Sequence, residues 1–277
     1  MLKILDVSRS GYYDFLDREP SNQALQKETK KTKIKTIYEE SKQIYGAPKI
    51  KEKLQQEGVN IAVKTVSNYM RELDITAIYR SKWVKTTVSG EFSETLTNHL
   101  NREFNPTSPN SIWVSDITYV WTYEGFVYLT SVMDLYSRKI IAWTLSRDLT
   151  VSAVVDCVEK AIRRRVLDLP LVIHSDRGVQ YISAEYKKLF NKNMKRSYSK
   201  KGDPWDNACI ESFHALIKRE WLKRFKIKNY EHAYQLIFEY IETFYNTVRI
   251  HGSLNYLTPN SYEQLFEQTK TNELNII

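Results

Sequence analysis

The chain has 277 residues, of which 42% are hydrophobic and 13% aromatic, and this composition excludes a largely disordered protein. Its length is sufficient for one catalytic domain of ordinary size with a smaller module in front. It contains neither a run of about 18 apolar residues nor the apolar segment of a signal peptide, so we expect a cytoplasmic protein. The two cysteines, Cys157 and Cys209, lack the spacing of a zinc site and are expected in the core.

The formal net charge of +8 is concentrated in one part of the chain. Residues 185–228 hold 13 basic and 5 acidic side chains, an excess as large as that of the whole sequence. Clustered Lys and Arg side chains can form a positive surface that binds a phosphate backbone, but they also occur on solvated faces without such a role. Charge alone leaves both interpretations open.

Residues 1–80 are predicted to form a helical region. Helices are expected from Ser8 to Leu16, from about Ala24 to before Tyr45, from Pro48 to before Gly58, and over residues 64–73. The last two helices would form a helix-turn-helix, whose second helix can enter the major groove of DNA. Its candidate contacts are Thr65, Ser67, Asn68 and Arg71. Because helical hairpins also serve in packing, this pattern alone does not decide between the two roles.

Residues 81–108 are polar and irregular and are interpreted as a linker. Beyond them the pattern predicts three strands, a helix, a strand, a helix, a strand and two longer helices. Their expected positions are residues 112–122, 126–134, 139–145, 152–167, 171–174, 184–191, 195–198, 206–225 and 231–246. This order predicts a ribonuclease-H-like α/β fold over residues 109–268, with a mixed five-stranded sheet flanked by helices, followed by a tail at 269–277.

Three carboxylates occupy positions that this fold can bring together. Asp116 lies within the first predicted strand, Asp176 ends the fourth, and Glu211 is in the helix after the fifth. Singly, each has an ordinary structural explanation: an ion pair for the first, a turn for the second, and an exposed helix surface for the third. Jointly, they would form the oxygen-rich site that Mg²⁺ or Mn²⁺ prefers.

Two such ions about 4 Å apart would activate an attacking oxygen and stabilise the leaving oxygen in an in-line phosphoryl displacement. We therefore predict that the three carboxylates are both metal ligands and catalytic residues. Lys218, two helical turns beyond Glu211, would touch a phosphate beside the metal ions. The further predicted DNA contacts are Arg177, Lys200, Lys201, Asn207, Arg249 and His251.

Three stretches carry motifs around these residues: His174-Ser175-Asp176-Arg177-Gly178, Trp205-Asp206-Asn207-Ala208 followed by Glu211-Ser212-Phe213, and Tyr245-Asn246 with Arg249 and His251. Together they resemble the second-reading-frame product, OrfB, of transposases of the IS-three family, which are relatives of retroviral integrases. The resemblance implies that Asp116, Asp176 and Glu211 are the catalytic triad. It also implies terminal inverted repeats as substrate, a multimeric complex on paired ends, and a partner, OrfA, often joined by a frameshift fusion.

Two other functions use part of the same features. A ribonuclease-H-type nuclease would bind the same metal ions but hydrolyse the phosphodiester with water and stop; the helix-turn-helix and the Tyr245–His251 motif argue against it. A non-catalytic regulator of the OrfA-OrfB fusion would bind DNA only. The three intact carboxylates argue against that interpretation.

Overall fold

The computed structural model describes residues 8–78, 96–167, 170–200 and 204–274. The chain divides into two compact units, Met1–Ile78 and Tyr79–Ile277. No helix within these described ranges is both long and apolar enough to cross a membrane.

Residues 8–78 of the first unit form four helices, as the sequence predicts. They are α1 (Arg9–Leu16), α2 (Asn22–Glu40), α3 (Ala47–Gln56) and α4 (Val63–Glu72). The hydroxyls of Ser8 and Ser21 cap α1 and α2 by accepting hydrogen bonds from backbone N–H groups at their first turns. Gly58, which follows α3, has a φ of +78°, a conformation that favours glycine because it lacks Cβ.

The second unit contains a five-stranded sheet in the order β3-β2-β1-β4-β5. Its strands are β1 (Ile112–Thr122), β2 (Gly125–Asp134), β3 (Ile140–Ser146), β4 (Leu171–Ser175) and β5 (Met194–Tyr198). The first three are antiparallel neighbours, while β4 and β5 run parallel to β1. This is the predicted ribonuclease-H-like fold, and all five strands lie where the sequence predicts them.

Helices flank this sheet. They are α5 (Val151–Arg163), α6 (Val179–Ile182), α7 (Ala184–Lys187), α8 (Ala208–Glu220), α9 (Tyr230–Phe238), continued by a π-helical turn (Glu239–Tyr245), and α10 (Pro259–Leu274). Three predicted helices are shorter than expected: residues 152–167 are helical only to Arg163, residues 184–191 only to Lys187, and the long helix at 206–225 is α8 between two 3₁₀ turns. The sequence did not predict α10, which crosses the boundary placed at residue 268.

The hydrophobic core lies between α5 and the sheet. Trp113 of β1, Val132 of β2 and Ile173 of β4 pack against the face of α5 that carries Val154 and Cys157. Burial of this kind contributes the main favourable free energy of folding. Cys157 is therefore a core residue as expected, whereas Cys209 is only partly buried, so that part of the expectation was wrong.

Part of the segment interpreted as a linker is attached to the second unit. The backbone N–H groups of His99 and Leu100 donate to the Ser197 hydroxyl on β5, at 2.8 and 3.0 Å. Most of the remaining linker, residues 81–95, lies outside the described residues.

The Tyr245–His251 motif and the π-helical turn before it contact the sheet and α8. Arg249 makes a bidentate ion pair with Glu220 of α8, with N–O distances of 2.7 and 2.8 Å. The hydroxyl of Tyr240 donates a further hydrogen bond to the same carboxylate at 2.7 Å. The carboxamide of Asn246 pairs with both backbone groups of Ile140 on β3.

This packing corrects two predicted DNA contacts. Arg249 and His251 are only 6% and 9% exposed, and the guanidinium of Arg249 is already bonded to Glu220. A guanidinium held in this way is not presented to a phosphate. Both residues therefore serve the interior of the protein.

We predict that Arg249→Ala lowers the free energy of unfolding by about 3–5 kcal/mol, because it leaves the buried charge of Glu220 without its partner. The matched control is Arg163→Ala, which removes an exposed pair with Glu159 and is expected to cost under about 1 kcal/mol. Chemical denaturation of both variants is the measurement. Equal losses in the two would show that the buried pair has no special role.

Candidate active site

Two aspartates lie side by side where neighbouring strands separate. The parallel pairing of β1 with β4 ends at Ser115 opposite Ser175. Asp116 is the next residue of β1, and Asp176 directly follows the last residue of β4, so both carboxylates are placed at the same edge of the sheet. The predicted adjacency of these two residues follows directly from the strand order.

A glycine two residues further along fixes the carboxylate of Asp176. The backbone N–H of Gly178 donates to Oδ1 of Asp176 at 2.9 Å. A Cβ at position 178 would lie 3.0 Å from the same oxygen, closer than nearly all such contacts. The absence of a side chain therefore permits this turn, which holds the aspartate in one orientation.

Glu211 comes to the site from α8. Ile210, Phe213 and Ile217 form the fully buried row of this helix, which fixes the rotation of α8 about its axis. Glu211 lies beside this row and is half-buried.

The three carboxylates interact electrostatically. Burial first, and then the charges of Asp116 and Asp176, raise the pKa of Glu211 to about 6. The pKa of Asp176 is also raised to about 6, by burial of the carboxylate and by the charge of Asp116. The three groups thus repel one another across one small region.

His214 is a residue of this site to which the sequence assigned no role. Its Nδ1 lies 3.4 Å from Oδ2 of Asp116, and its Nε2 lies 3.3 Å from the hydroxyl of Ser131 on β2. The imidazole is buried and contacts Asp116 from the side of α8. The available signal was its spacing, since His214 is three residues after Glu211 and shares its side of the helix.

Lys218 lies at the border of the site, where the charge of Asp116 acts on its ammonium group. Burial lowers the pKa of its ammonium group to about 8, against the opposing effect of Asp116. The same ammonium is 4.3 Å from the centre of the Tyr119 ring. A partly desolvated cation beside the carboxylates is suited to a phosphate oxygen.

Asp206 is engaged elsewhere, although it lies close to Glu211 in sequence. Its carboxylate, which is buried, accepts hydrogen bonds from the side chains of Asn98 and Arg102 and from the backbone of Lys200, at 2.7–2.9 Å. Burial opposes its ionisation, but these hydrogen bonds hold its pKa below the usual range. Asp206 therefore anchors the start of α8 and is not free to bind a metal ion.

The other DNA contacts predicted in the second unit differ in their exposure to solvent. Lys200 is exposed, whereas Arg177 is half-buried and donates to the backbone oxygen of Ser199 at 2.7 Å. Asn207 is only 3% exposed, and its carboxamide has no hydrogen-bond partner in the described part of the chain. Lys201 lies outside the described residues.

On α4 of the first unit, Asn68 and Arg71 are exposed and Thr65 is half-buried, while Val66 and Met70 face the interior. The side chains on which the DNA-reading prediction depends are thus at the surface of that unit.

The donor set suits a hard divalent cation. Within the described ranges, no three His, Cys, Asp or Glu side chains form a group that could hold a metal ion, so the three carboxylates are not arranged as a complete metal site. An open arrangement agrees with the habits of Mg²⁺, which takes one or two carboxylates and completes its octahedron with water and substrate phosphate oxygens. Three mutually repelling carboxylates beside one another fit such a cation.

Three known protein families match this chain. The integrase core domain family matches residues 106–204, a second family of the same description matches residues 192–259, and the HTH-like domain family matches residues 25–83. The fold and these matches define a polynucleotidyl transferase with an integrase core and a helix-turn-helix-like region that implies DNA binding.

Close relatives make the class more specific. The chain is 36% identical to the transposase for insertion sequence element IS904 of Lactococcus lactis, over 90% of this chain and 99% of that protein. It is 34% identical to transposase InsF for insertion sequence IS3A of Escherichia coli, over 95% and 92%. The 31 kDa protein of insertion element IS600 of Shigella sonnei is 33% identical, over 97% and 99%. The chain belongs to the insertion-sequence transposases of the IS-three family.

Solved structures with a similar fold are more distant. The catalytic core domain of HTLV-2 integrase in complex with magnesium has 17% identity and a TM-score of 0.43, over 57% of this chain and 98% of that one. The catalytic core domain of BIV integrase has 17% identity and a TM-score of 0.44, over 58% and 99%.

We predict that Glu211→Gln stabilises the metal-free protein at pH 8. The pKa of Glu211 is about 6 in the folded state against 4.5 ordinarily, so its stabilising contribution is present below about pH 4.5 and is lost as the pH rises through 6. After allowance for solvent screening, the gain from the neutral side chain should be on the order of 1 kcal/mol.

The measurement is chemical denaturation in chelator at pH 8 and pH 4, with Glu267→Gln as the control. Glu267 is exposed on α10, and its replacement should change little at either pH. A Glu211→Gln variant that is no more stable than the parent at pH 8 would contradict the proposed repulsion.

Proposed function

We propose that this transposase cuts DNA at the terminal inverted repeats of an insertion sequence and joins the ends to target DNA. The observation that carries the proposal is the meeting of Asp116, Asp176 and Glu211, from three separate elements, with pKa values for two of them raised to about 6. Their negative charge would hold two Mg²⁺ ions, for which Mn²⁺ can substitute.

Each protein group has a separate task in this proposal. Bound metal ions would supply Lewis-acid activation of the attacking oxygen and stabilisation of the leaving oxygen. Asp116, contacted by His214, and Asp176, held by Gly178, present carboxylates at the sheet edge. Lys218 binds a phosphate oxygen next to the scissile bond.

We infer a division of labour along the chain. Residues 1–80 would read the sequence of the terminal repeats through Thr65, Asn68 and Arg71, and residues 81–108 would connect them to the catalytic core at 109–268, with 269–277 as a tail. The basic excess within residues 185–228 would hold the DNA backbone. We also propose that the protein acts as a homo-oligomer on paired ends, with OrfA or as an OrfA-OrfB fusion.

The proposal is tested by incubating the protein with labelled terminal-repeat DNA and Mg²⁺. Joined strands are the expected product. Short hydrolytic fragments without joining would instead indicate a nuclease, and a mobility shift without any chemistry would indicate a regulator. Activity that persists in excess chelator would contradict the role of metal ions.

We predict that Glu211→Gln abolishes strand joining but retains the fold and DNA binding. The change preserves the shape of the side chain and removes one of the three charges, which should slow the reaction on the order of a thousandfold or more. Strand transfer and a mobility shift on one preparation are the measurements. The control is Glu267→Gln, and near-normal joining by Glu211→Gln would remove that residue from the site.

We predict that affinity for DNA falls steeply between about 50 and 200 mM salt, because Lys and Arg side chains release counterions from phosphates. Lys218→Ala should weaken binding to all sequences and lower the salt slope by about one. Lys270→Ala, on the exposed surface of α10, is the matched control. Changes at Asn68 or Arg71 should instead affect the preferred sequence most, and affinity that barely responds to salt would contradict a phosphate-binding surface.

A further inference from the structure

The β1–β2 hairpin carries a cluster of three large aromatic side chains at its outer end. Tyr119, Trp121 and Phe126, here named the aromatic patch, are 51%, 59% and 48% exposed. The ring of Phe126 meets that of Trp121 edge to face at 4.8 Å and that of Tyr119 at 5.2 Å. Exposed apolar groups that cluster in this way often mark a binding surface, whereas scattered ones do not.

The patch is held in place before any ligand arrives. Trp121 and Phe126 are directly opposite each other in the antiparallel pairing. Tyr119, two residues before Trp121, lies on the same face of β1. The turn of the hairpin is fixed in addition by a hydrogen bond from the Tyr123 N–H to the Ile227 carbonyl. Little conformational entropy would therefore be lost when a flat ligand stacks on these rings.

The patch is continuous with the active site. The ammonium of Lys218 lies 4.3 Å from the centre of the Tyr119 ring, and the charge of Asp116 acts on the same ammonium. Positions 119 and 121 are three and five residues beyond Asp116 on β1, roughly 10 and 17 Å along the strand. Side chains alternate between the faces of a strand, so Tyr119 and Trp121 lie on the opposite face of β1 from Asp116, and the contact of Lys218 with Tyr119 connects the patch to the site. A nucleic-acid strand whose scissile phosphate lies at the carboxylates would span this separation with about three to five nucleotides, at 3.4 Å per stacked nucleotide.

We propose that the aromatic patch is a stacking site for an unpaired base of the DNA substrate, within about five nucleotides of the scissile phosphate. This inference rests on the proposed function and adds a feature of its substrate. Lys218 would bind the backbone phosphate while the patch takes the base, so that the charge and the rings serve the same strand. A base inside a duplex has no free face, and the base must therefore be unpaired or terminal.

A second copy of the chain is a poorer occupant. Even completely buried, three aromatic side chains contribute on the order of 600 Å², and about half of their surface is already covered by the hairpin. A stable protein interface needs about 800 Å² from each partner. The patch is also bordered by the positive charge of Lys218, which complements a phosphate backbone.

The test uses the full-length chain in chelator, so that no strand is cut. Its probes are terminal-repeat duplexes with either blunt ends or a short single-stranded overhang, carrying 2-aminopurine at successive positions near the end. The variants are Trp121→Ala and Phe126→Ala, with Trp121→Phe as the conservative change. Phe238→Ala on α9 is the matched control, because Phe238 is 47% exposed and lies outside the patch.

We expect the fluorescence of 2-aminopurine to be quenched at one or two overhang positions when the parent protein binds. Trp121→Ala and Phe126→Ala should remove this signal and weaken overhang binding on the order of 10-fold, with little change for blunt duplex. Trp121→Phe and Phe238→Ala should behave like the parent, and circular dichroism should show an unchanged fold in every variant.

Three outcomes would overturn the inference. If the variants bind overhang and blunt DNA as the parent does while the parent joins strands in Mg²⁺, the stacking site is wrong and the proposed function stands. If the variants instead lose a self-association that sedimentation detects in the parent, the patch is a protein interface. If the parent neither binds DNA nor joins strands, the proposed function fails together with this inference.

Discussion

The arrangement of the catalytic unit depends on holding three carboxylates together against their mutual repulsion. Asp116 and Asp176 are held by the strand register, since each directly follows the last residue of the β1–β4 pairing. Glu211 has no such constraint and depends entirely on where α8 is placed. This repulsion raises the free energy of the folded protein without a metal ion. A divalent cation at the site would turn the net electrostatic interaction from repulsive to attractive. The folded protein thus loses some stability at the place where its function needs several negative charges close together.

The position of α8 is fixed by charged contacts at both of its ends. Before its first turn, Asp206 collects hydrogen bonds from residues 98–102 and from Lys200, and at its last residue Glu220 is paired with Arg249. Between them, the buried row of apolar side chains sets its rotation. Arg249 is distant from Glu211 in sequence, but it pairs with Glu220 on the same helix. It therefore helps to set the position of Glu211 through α8.

The sequence predicted the sheet well because its first three strands are long, rich in β-branched and aromatic residues and separated by clear turn residues. It also predicted Asp176 and Glu211 as candidate site residues from their motifs. The neighbouring residues in those motifs have structural roles of their own. It failed where a motif does not distinguish surface from interior: Arg249 and His251 look like cationic DNA contacts, yet both are buried. It also missed α10. A buried carboxylate of this helix, Glu263, is bonded to Ser137 and Arg165. Tyr262 and Phe266 of the same helix add ring contacts with Tyr136.

Lys218 connects the chemistry of the carboxylates with the surface around them. Burial lowers its pKa to about 8, which means that the folded protein disfavours its charged form. The charge of Asp116 and the face of the Tyr119 ring offset only part of this cost. A phosphate oxygen would offset the remainder, because it meets a cation that water solvates poorly and that side chains already orient. The same desolvation that weakens Lys218 as a free cation therefore makes it a stronger partner for a phosphate held beside the carboxylates.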